Sequence, residues 1–118
     1  MEIVIKKKNL ELTPELKAYI EEKIGDLEIF LQDFEREKEN KSPRKRRPRV
    51  LAEAEVGKVT CHHQKGNIFR SEVQIKILGR IFRAEAERDN LKAAIAEVKD
   101  ELQVQLKKYK GKISDFKN

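Results

Sequence analysis

Hydrophobic and polar residues alternate along several short stretches of this chain. The first, Glu2–Lys6, is a β-branched run in which Ile3 and Ile5 point the same way. The other stretches with the two-residue period of a strand are 50–56, 69–77 and 82–87. A tight connection at 78–80 separates the last two, so we expect the three later strands to pair as an antiparallel meander with one apolar face.

Two further stretches carry apolar residues at steps of three and four, the period of an amphipathic helix. The first helix is predicted from about 14 to 34, because Thr13 can cap it and Pro14 suits its first position. Its apolar stripe consists of Leu16, Ile20, Ile24, Leu27, Leu31 and Phe34. The second helix follows a cap at Asp89 or Asn90. Its stripe consists of Leu91, Ala94, Ile95, Val98, Leu102, Leu106, Tyr109 and Ile113.

The predicted order of elements is therefore β-α-β-β-β-α. It indicates an α+β two-layer sandwich, in which a four-stranded sheet has both helices packed on one face. This arrangement is like that of double-stranded-RNA-binding domains. A chain of 118 residues is typical of one domain, so we expect a single domain over 1–118. Residues 35–48 contain no apolar side chain, and we interpret them as a charged flexible loop.

Charge is distributed unevenly along the chain. Residues 1–40 hold 7 Lys or Arg and 11 Asp or Glu, whereas residues 41–118 hold 20 and 10. The formal net charge of +6 therefore combines an acidic first part with a strongly basic remainder. Such a balance favours a polyanionic partner, most often nucleic acid. The alternative is a highly charged, solvated surface with no specific anion.

Composition also bears on the compartment. No apolar run approaches the roughly 20 residues that cross a bilayer, and no signal-peptide segment follows Met1. The single cysteine, Cys61, cannot form an internal disulfide, which is typical of a reducing compartment. We therefore expect a cytoplasmic protein with no membrane partner.

Catalytic chemistry has little support in the sequence. The chain lacks a phosphate-binding loop, a dinucleotide-binding loop and a nucleophile elbow. Cys61, His62 and His63 are zinc-type ligands, but adjacent residues rarely converge on one ion, and no second Cys or third His completes the set. The alternative places them as polar residues at the mouth of a hairpin. We expect no enzyme activity, metal, cofactor or small-molecule substrate.

Two pairs of carboxylates, Glu53/Glu55 and Glu85/Glu87, lie on the predicted outer faces of strands. Two neighbouring carboxylates can act as a general acid and base. Carboxylates in such positions more often pair with cross-strand cations. The candidate partners are Arg70, Lys76 and Arg83.

Basic residues carry a stronger signal. They come from the last hairpin, its exit and the second helix: Arg70, Lys76, Arg80, Arg83, Arg88, Lys92, Lys99, Lys107, Lys108, Lys110 and Lys112. Lysines near a helix C-terminus also complement its dipole, whereas guanidinium groups suit phosphates and stacked bases. Only two Tyr and five Phe are present, and four of the Phe lie on apolar stripes. The pattern therefore favours structured RNA recognised by backbone and shape rather than by base stacking.

A second basic run occupies residues 41–49 and is interrupted by two prolines. It matches a nuclear localisation signal, a pattern that short basic runs often match by chance. We favour either a mobile basic arm that touches phosphates or a solubilising loop.

Four segments are specific enough to compare with known families: Asn9–Glu28, Val59–Val73, Phe82–Ile95 and Asp100–Lys110. In this order they resemble the bacterial ribosome hibernation-promoting factors, also called ribosome-associated translation inhibitors or sigma-54 modulation proteins. The resemblance covers nearly the whole chain except the loop 35–48. It is consistent with the β-α-β-β-β-α order derived above.

The resemblance implies a non-enzymatic function in the stress response of starvation and stationary phase. Such proteins bind the small ribosomal subunit in its mRNA and tRNA channel, mainly through rRNA and also beside ribosomal proteins, and stabilise idle ribosomes. The chain is similar to the short form or to an isolated amino-terminal domain. We therefore expect it to be monomeric when free.

The resemblance also adds site residues. The turn His63-Gln64-Lys65-Gly66 is similar to the family's, so His63 and Lys65 join the predicted RNA-binding residues. Arg83, Arg88 and the lysines at 107, 108, 110 and 112 fall where the family has basic residues. Three positions depart from the family, which has an aromatic, an acidic and a basic residue there: Lys92, Ala96 and Val104.

Two other functions compete with this prediction. A double-stranded-RNA-binding module shares the core fold, but its last helix typically begins with lysines where this chain has Asp89. A protein-binding modulator of transcription is the other, with the acidic first helix and the run 41–49 as its contacts.

Overall fold

The computed structural model describes residues 1–31, 50–59, 66 and 68–116, with side chains as far as Tyr109 in the last helix. The elements in chain order are β1 (Glu2–Lys8), α1 (Pro14–Gly25), β2 (Val50–Val59), β3 (Ile68–Ile77), β4 (Arg80–Arg88) and α2 (Leu91–Phe116). The predicted order is confirmed, and the strands extend one to three residues beyond several predicted ends. Within these described ranges, no helix has the length and apolarity needed to cross a membrane.

The four strands form one mixed sheet in the order β1-β2-β3-β4. The predicted antiparallel meander of β2, β3 and β4 is confirmed. β1 lies parallel to β2, with Glu2 opposite Leu51 and Lys8 opposite Gly57. Parallel neighbours need a long crossover connection, which begins here with α1.

Local sequence explains how the elements begin and turn. The Oγ1 atom of Thr13 accepts a hydrogen bond from the Leu16 amide at 3.2 Å, as predicted for the cap of α1. The cap of α2 is Asn90, whose Oδ1 accepts from the Lys92 amide at 2.9 Å. The β3–β4 turn consists of Leu78 and Gly79, both with positive φ (51° and 75°), which is the two-residue geometry that matches strand twist. Gly66 also has a positive φ of 109°, a conformation that glycine adopts without steric cost.

The first helix is shorter than the prediction of 14 to 34. α1 ends at Gly25, the chain turns through 26–27, and residues 28–31 are helical again. Glycine carries the largest backbone entropy cost within a helix, and the turn is closed by a bond from the Leu27 amide to the Ile24 carbonyl at 3.0 Å. The apolar stripe survives the break, because Leu27 and Leu31 are both buried.

The core lies between one face of the sheet and the two helices. Its largest fully buried side chains are Ile20, Ile24, Leu27, Val56, Val73, Ile75, Ile77, Ile95, Val98, Leu102 and Leu106. The predicted stripe of α2 is confirmed as far as Tyr109, the last described side chain. The α+β two-layer prediction is thereby confirmed, and the opposite face of the sheet is left to charged residues.

Candidate nucleic-acid interface

The predicted RNA-binding residues lie on three different surfaces: the outer face of the sheet, the β4–α2 border and the helical side. His63 and Lys65 fall outside the described residues, as do the Cys61-His62-His63 cluster and both the loop 35–48 and the basic run 41–49. Lys110 and Lys112 belong to the backbone of α2, but their side chains are also outside the described part.

On the outer face of the sheet, arginines are bound to carboxylates. The Nη2 atom of Arg70 donates to Glu72 Oε2 at 3.1 Å and to Glu85 Oε2. The Nε atom of Arg83 lies 2.9 Å from Glu72 Oε1, and its Nη2 lies 3.6 Å from Glu85 Oε2. The hydrogen bond to Glu85 raises the pKa of Arg70 above its usual value, although desolvation acts in the opposite direction. The prediction that these arginines pair with strand carboxylates is confirmed.

The strand register explains this network. Glu55 lies opposite Glu72, and Glu72 lies opposite Glu85, so three carboxylates form a row across β2, β3 and β4. Like charges directly opposite one another destabilise a sheet. Arg70 and Arg83 lie two residues along their strands on opposite sides of this row, and both form ion pairs with Glu72 and Glu85. Most of the charge of these two arginines therefore compensates the protein's own carboxylates.

Lys76 and the cations at the border of β4 and α2 are also engaged. The Nζ atom of Lys76 lies 3.6 Å from Glu53 Oε1. Arg88 forms an ion pair with Glu97 and donates from Nη1 to the Glu87 carbonyl at 2.8 Å. The guanidinium of Arg80 lies 4.4 Å from the centre of the Tyr109 ring. These contacts hold the side chains in fixed positions against the fold.

A different arrangement lies where α2 faces α1. We call Lys23, Lys92, Lys99 and Lys107 the interhelical lysine row. The ammonium groups of Lys23 and Lys92 lie 5.6 Å and 5.5 Å from the centre of the same Tyr19 ring. The Tyr19 hydroxyl donates to the Lys92 carbonyl at 3.3 Å, which fixes the ring between the helices. Further along α2, Lys107 lies 5.5 Å from the centre of the Phe30 ring.

The row differs from the sheet in how its charge is balanced. Among the described residues, no carboxylate lies within ion-pair distance of Lys23, Lys92 or Lys107, and Lys99 has only Asp100 at 3.9 Å, together with a 2.9 Å hydrogen bond to Gln103. Aromatic faces attract ammonium groups but carry no net negative charge. Within the described part of the chain, Asp100 is therefore the one carboxylate within ion-pair distance of the row.

Two residues of this surface, Tyr19 and Lys23, are absent from the sequence prediction. The exposed face of the first helix is mainly acidic, whereas Tyr19 and Lys23 lie four residues apart beside the apolar stripe. That spacing was the available signal, because residues four apart share one face of a helix. Lys108 is exposed on α2, as is Val104 at 45%, one of the departures from the family pattern.

Together these features define a small α+β domain with ion pairs across the outer face of its sheet and a row of lysines on its helical side. A family model described as "Sigma 54 modulation protein / S30EA ribosomal protein" matches residues 3–114. The chain belongs to this family, and the family predicted from the sequence is confirmed. It is 30% identical over 106 residues to a ribosome hibernation promotion factor of Staphylococcus aureus (strain COL). The alignment covers 90% of this chain and 46% of that protein, so the chain spans less than half of the relative's length.

Two solved structures have the same fold. The Protein Y N-terminal domain of Thermus thermophilus is 24% identical with a TM-score of 0.66, over 92% of this chain and 99% of that one. A ribosomal subunit interface protein from Coxiella burnetii is 17% identical with a TM-score of 0.66, over 94% of this chain and 99% of that one. At these identities the likeness establishes the fold.

Proposed function

We propose that this chain binds the small ribosomal subunit in its mRNA and tRNA channel and inhibits translation by stabilising idle ribosomes. The observation that carries the proposal is family membership over residues 3–114. The relatives support it: one is a ribosome hibernation promotion factor, and another is a ribosomal subunit interface protein.

The interhelical lysine row is the surface that we propose to face rRNA. Lys92, Lys99 and Lys107 lie on one flank of α2, about 10–12 Å apart at a helical rise of 1.5 Å per residue. Lys23 adds a fourth charge from α1 and lies beside the Tyr19 ring that Lys92 shares. Lysines without an internal counter-charge release counterions from phosphates when they bind RNA, and this release is the main source of affinity.

The cations of the sheet have a smaller part in this proposal. The ion pair between Arg83 and Glu72 mainly stabilises the fold, because removing the charge of Arg83 would leave Glu72 without its closest cation. His63, Lys65, Lys108, Lys110 and Lys112 remain proposed contacts that extend the basic surface beyond the row. The protein then acts by occupying the channel as a single folded domain, and no bond is made or broken.

Cosedimentation with purified small subunits tests the proposal. We expect the protein to migrate with the subunits in a sucrose gradient at low salt and to be released as salt rises. We also expect in-vitro translation to fall as the protein is added. A protein that stays at the top of the gradient at low salt would exclude the ribosome as its partner. Equal binding to a random RNA duplex would instead favour a general double-stranded-RNA module.

A further inference from the structure

β4 is an edge strand, because the sheet ends there and no described strand pairs with its far side. The two-residue turn at 78–79 makes Ile77 and Arg80 a hydrogen-bonded pair, so every second residue of β4 bonds to β3. The residues between these point their backbone N–H and C=O groups away from β3, and they are Ile81, Arg83, Glu85 and Glu87. An edge of this kind is a template for the pairing of a further strand.

Two contacts agree with this orientation of the β4 backbone. The Nε2 atom of Gln105 donates to the Arg83 carbonyl at 2.8 Å, and Nη1 of Arg88 donates to the Glu87 carbonyl at the same distance. Both acceptors belong to the outward-pointing set. Among the described residues, no hydrogen bond reaches the other two outward carbonyls or the four outward N–H groups. Within that part of the chain, the edge is therefore capped at two carbonyls and open elsewhere.

A groove of about 500 Å³ lies between this edge and α2. It is lined by Arg83, Ala84, Glu85, Glu97, Glu101 and Gln105. One flank of α2 faces the edge, because Glu97 pairs with Arg88 and Gln105 bonds to β4. Glu101 lies on the same flank, midway between these two residues of α2, and is exposed. It has no ion pair or hydrogen bond with a described residue, so an unpaired carboxylate stands beside the open strand edge.

The spacing of the carboxylates on α2 matches a strand with basic residues at alternate positions. A strand added to β4 lies about 4.8 Å from it and turns every second side chain towards α2, at intervals of about 6.8 Å. Glu97 and Glu101 are separated by about 6 Å along the helix axis, at a rise of 1.5 Å per residue. A cation beside Glu101 therefore gains a free partner, whereas a cation beside Glu97 competes with Arg88.

A second copy of this chain fits the edge less well. Antiparallel pairing of two β4 strands brings the flank of α2 that carries Glu97 and Glu101 against the same flank of the other copy. Like charges that face each other disfavour that arrangement. The charge of the groove therefore favours a basic partner.

We propose that the free edge of β4 binds an extended basic segment of another protein as a fifth strand, with a lysine or arginine beside Glu101. Backbone hydrogen bonds supply the affinity, and the side chains on the α2 side supply the preference for basic sequences. Gln105 and Arg88 occupy two edge carbonyls, so the incoming strand displaces them and its affinity is limited. The proposal stands independently of ribosome binding, because the interhelical lysine row lies on the opposite flank of α2.

Amide hydrogen exchange measured by NMR on the 118-residue chain tests the proposal, with a short peptide in which lysine alternates with threonine as the probe. We expect the amides of Arg83 and Glu85 to exchange fast in the free protein and to slow when the peptide binds. With free peptide at about nine times its Kd, they should slow about tenfold, because only the unoccupied fraction exchanges. The Ala84 amide, which bonds to β3, should be protected in both states.

Two variants test the contribution of the carboxylate. Glu101→Gln should weaken peptide binding by up to about fivefold, the range of an exposed ion pair. Glu21→Gln removes the same charge from the exposed side of α1 and should leave the affinity unchanged. The dispersion of each spectrum shows that the variant is folded.

Two control peptides separate strand addition from simple charge attraction. A peptide with glutamate in place of lysine should bind more weakly. A lysine peptide methylated on every backbone amide keeps its charge but cannot donate ladder hydrogen bonds, so it should not protect Arg83 or Glu85. Protection by the methylated peptide, or an equal effect of Glu101→Gln and Glu21→Gln, would overturn the proposal. Protection that rises with protein concentration in the absence of peptide would assign the edge to a second copy and would also overturn it.

Discussion

Two triple variants test whether ribosome binding depends on where the positive charges lie or only on the net charge of the protein. The first variant changes Lys92, Lys99 and Lys107 to glutamine and removes three members of the interhelical lysine row. The matched variant changes the carboxylate-paired cations Lys76, Arg83 and Arg88 to glutamine. Both lower the net charge of +6 by three, so any difference between them reports where the charges lie.

The expected magnitude follows from counterion release. Each phosphate contact contributes about 0.7–0.9 to the slope of log affinity against log salt, so losing three contacts should lower the slope by about 2–3. In the matched variant the substituted cations are already paired with carboxylates. We therefore expect the slope to change by less than about 0.7–0.9, the contribution of one phosphate contact.

The assay is cosedimentation of labelled protein with purified small subunits over a series of salt concentrations, with circular dichroism to confirm folding. Equal slope changes in both variants would refute the reasoning, since affinity would then depend on net charge alone. A larger change in the matched variant would place the interface on the sheet instead of the helices.

Three further predictions concern the fold and are measured by urea unfolding. Leu102→Ala should lower the free energy of unfolding by about 2–5 kcal/mol because Leu102 is fully buried, whereas Val104→Ala, on the exposed side of the same helix, should change it by less than about 0.5 kcal/mol. Leu78→Asn should raise it by about 1 kcal/mol, because asparagine tolerates the positive φ of this turn better than leucine; a loss of stability would contradict that explanation. Thr13→Ala should cost about 0.5–2 kcal/mol through loss of the bond to the Leu16 amide, and Thr13→Ser should recover most of it.

The fold was largely predictable because its signals are local. The alternation in 50–56 and 69–77 predicts strands with one buried face. Val56, Val73 and Ile75 are buried on that face, as expected. The break at Gly25 was missed because the apolar stripe continues across it, and a stripe reports which face is buried but not whether the helix is continuous.

The candidate site was less predictable, since its chemistry depends on contacts between distant elements. The sequence alone does not distinguish Arg83 from Lys107, because both are basic residues at positions predicted to be exposed. Only the cross-strand register places Glu72 beside Arg83, and only the packing of residues 28–31 near α2 places Phe30 beside Lys107. A list of basic residues therefore overestimates the number of cations that lack a carboxylate partner within the described part of the chain.

The parallel pairing of β1 with β2 has a consequence for the order of folding. The β3–β4 hairpin closes between Ile77 and Arg80, whereas β1 reaches β2 only by bringing Glu2 to Leu51. Closing the longer loop costs more chain entropy, so β1 should dock late, after the folding transition state. Substitutions in β1 should then accelerate unfolding and leave the folding rate nearly unchanged. The first strand to emerge in the sequence would be the last to join the sheet.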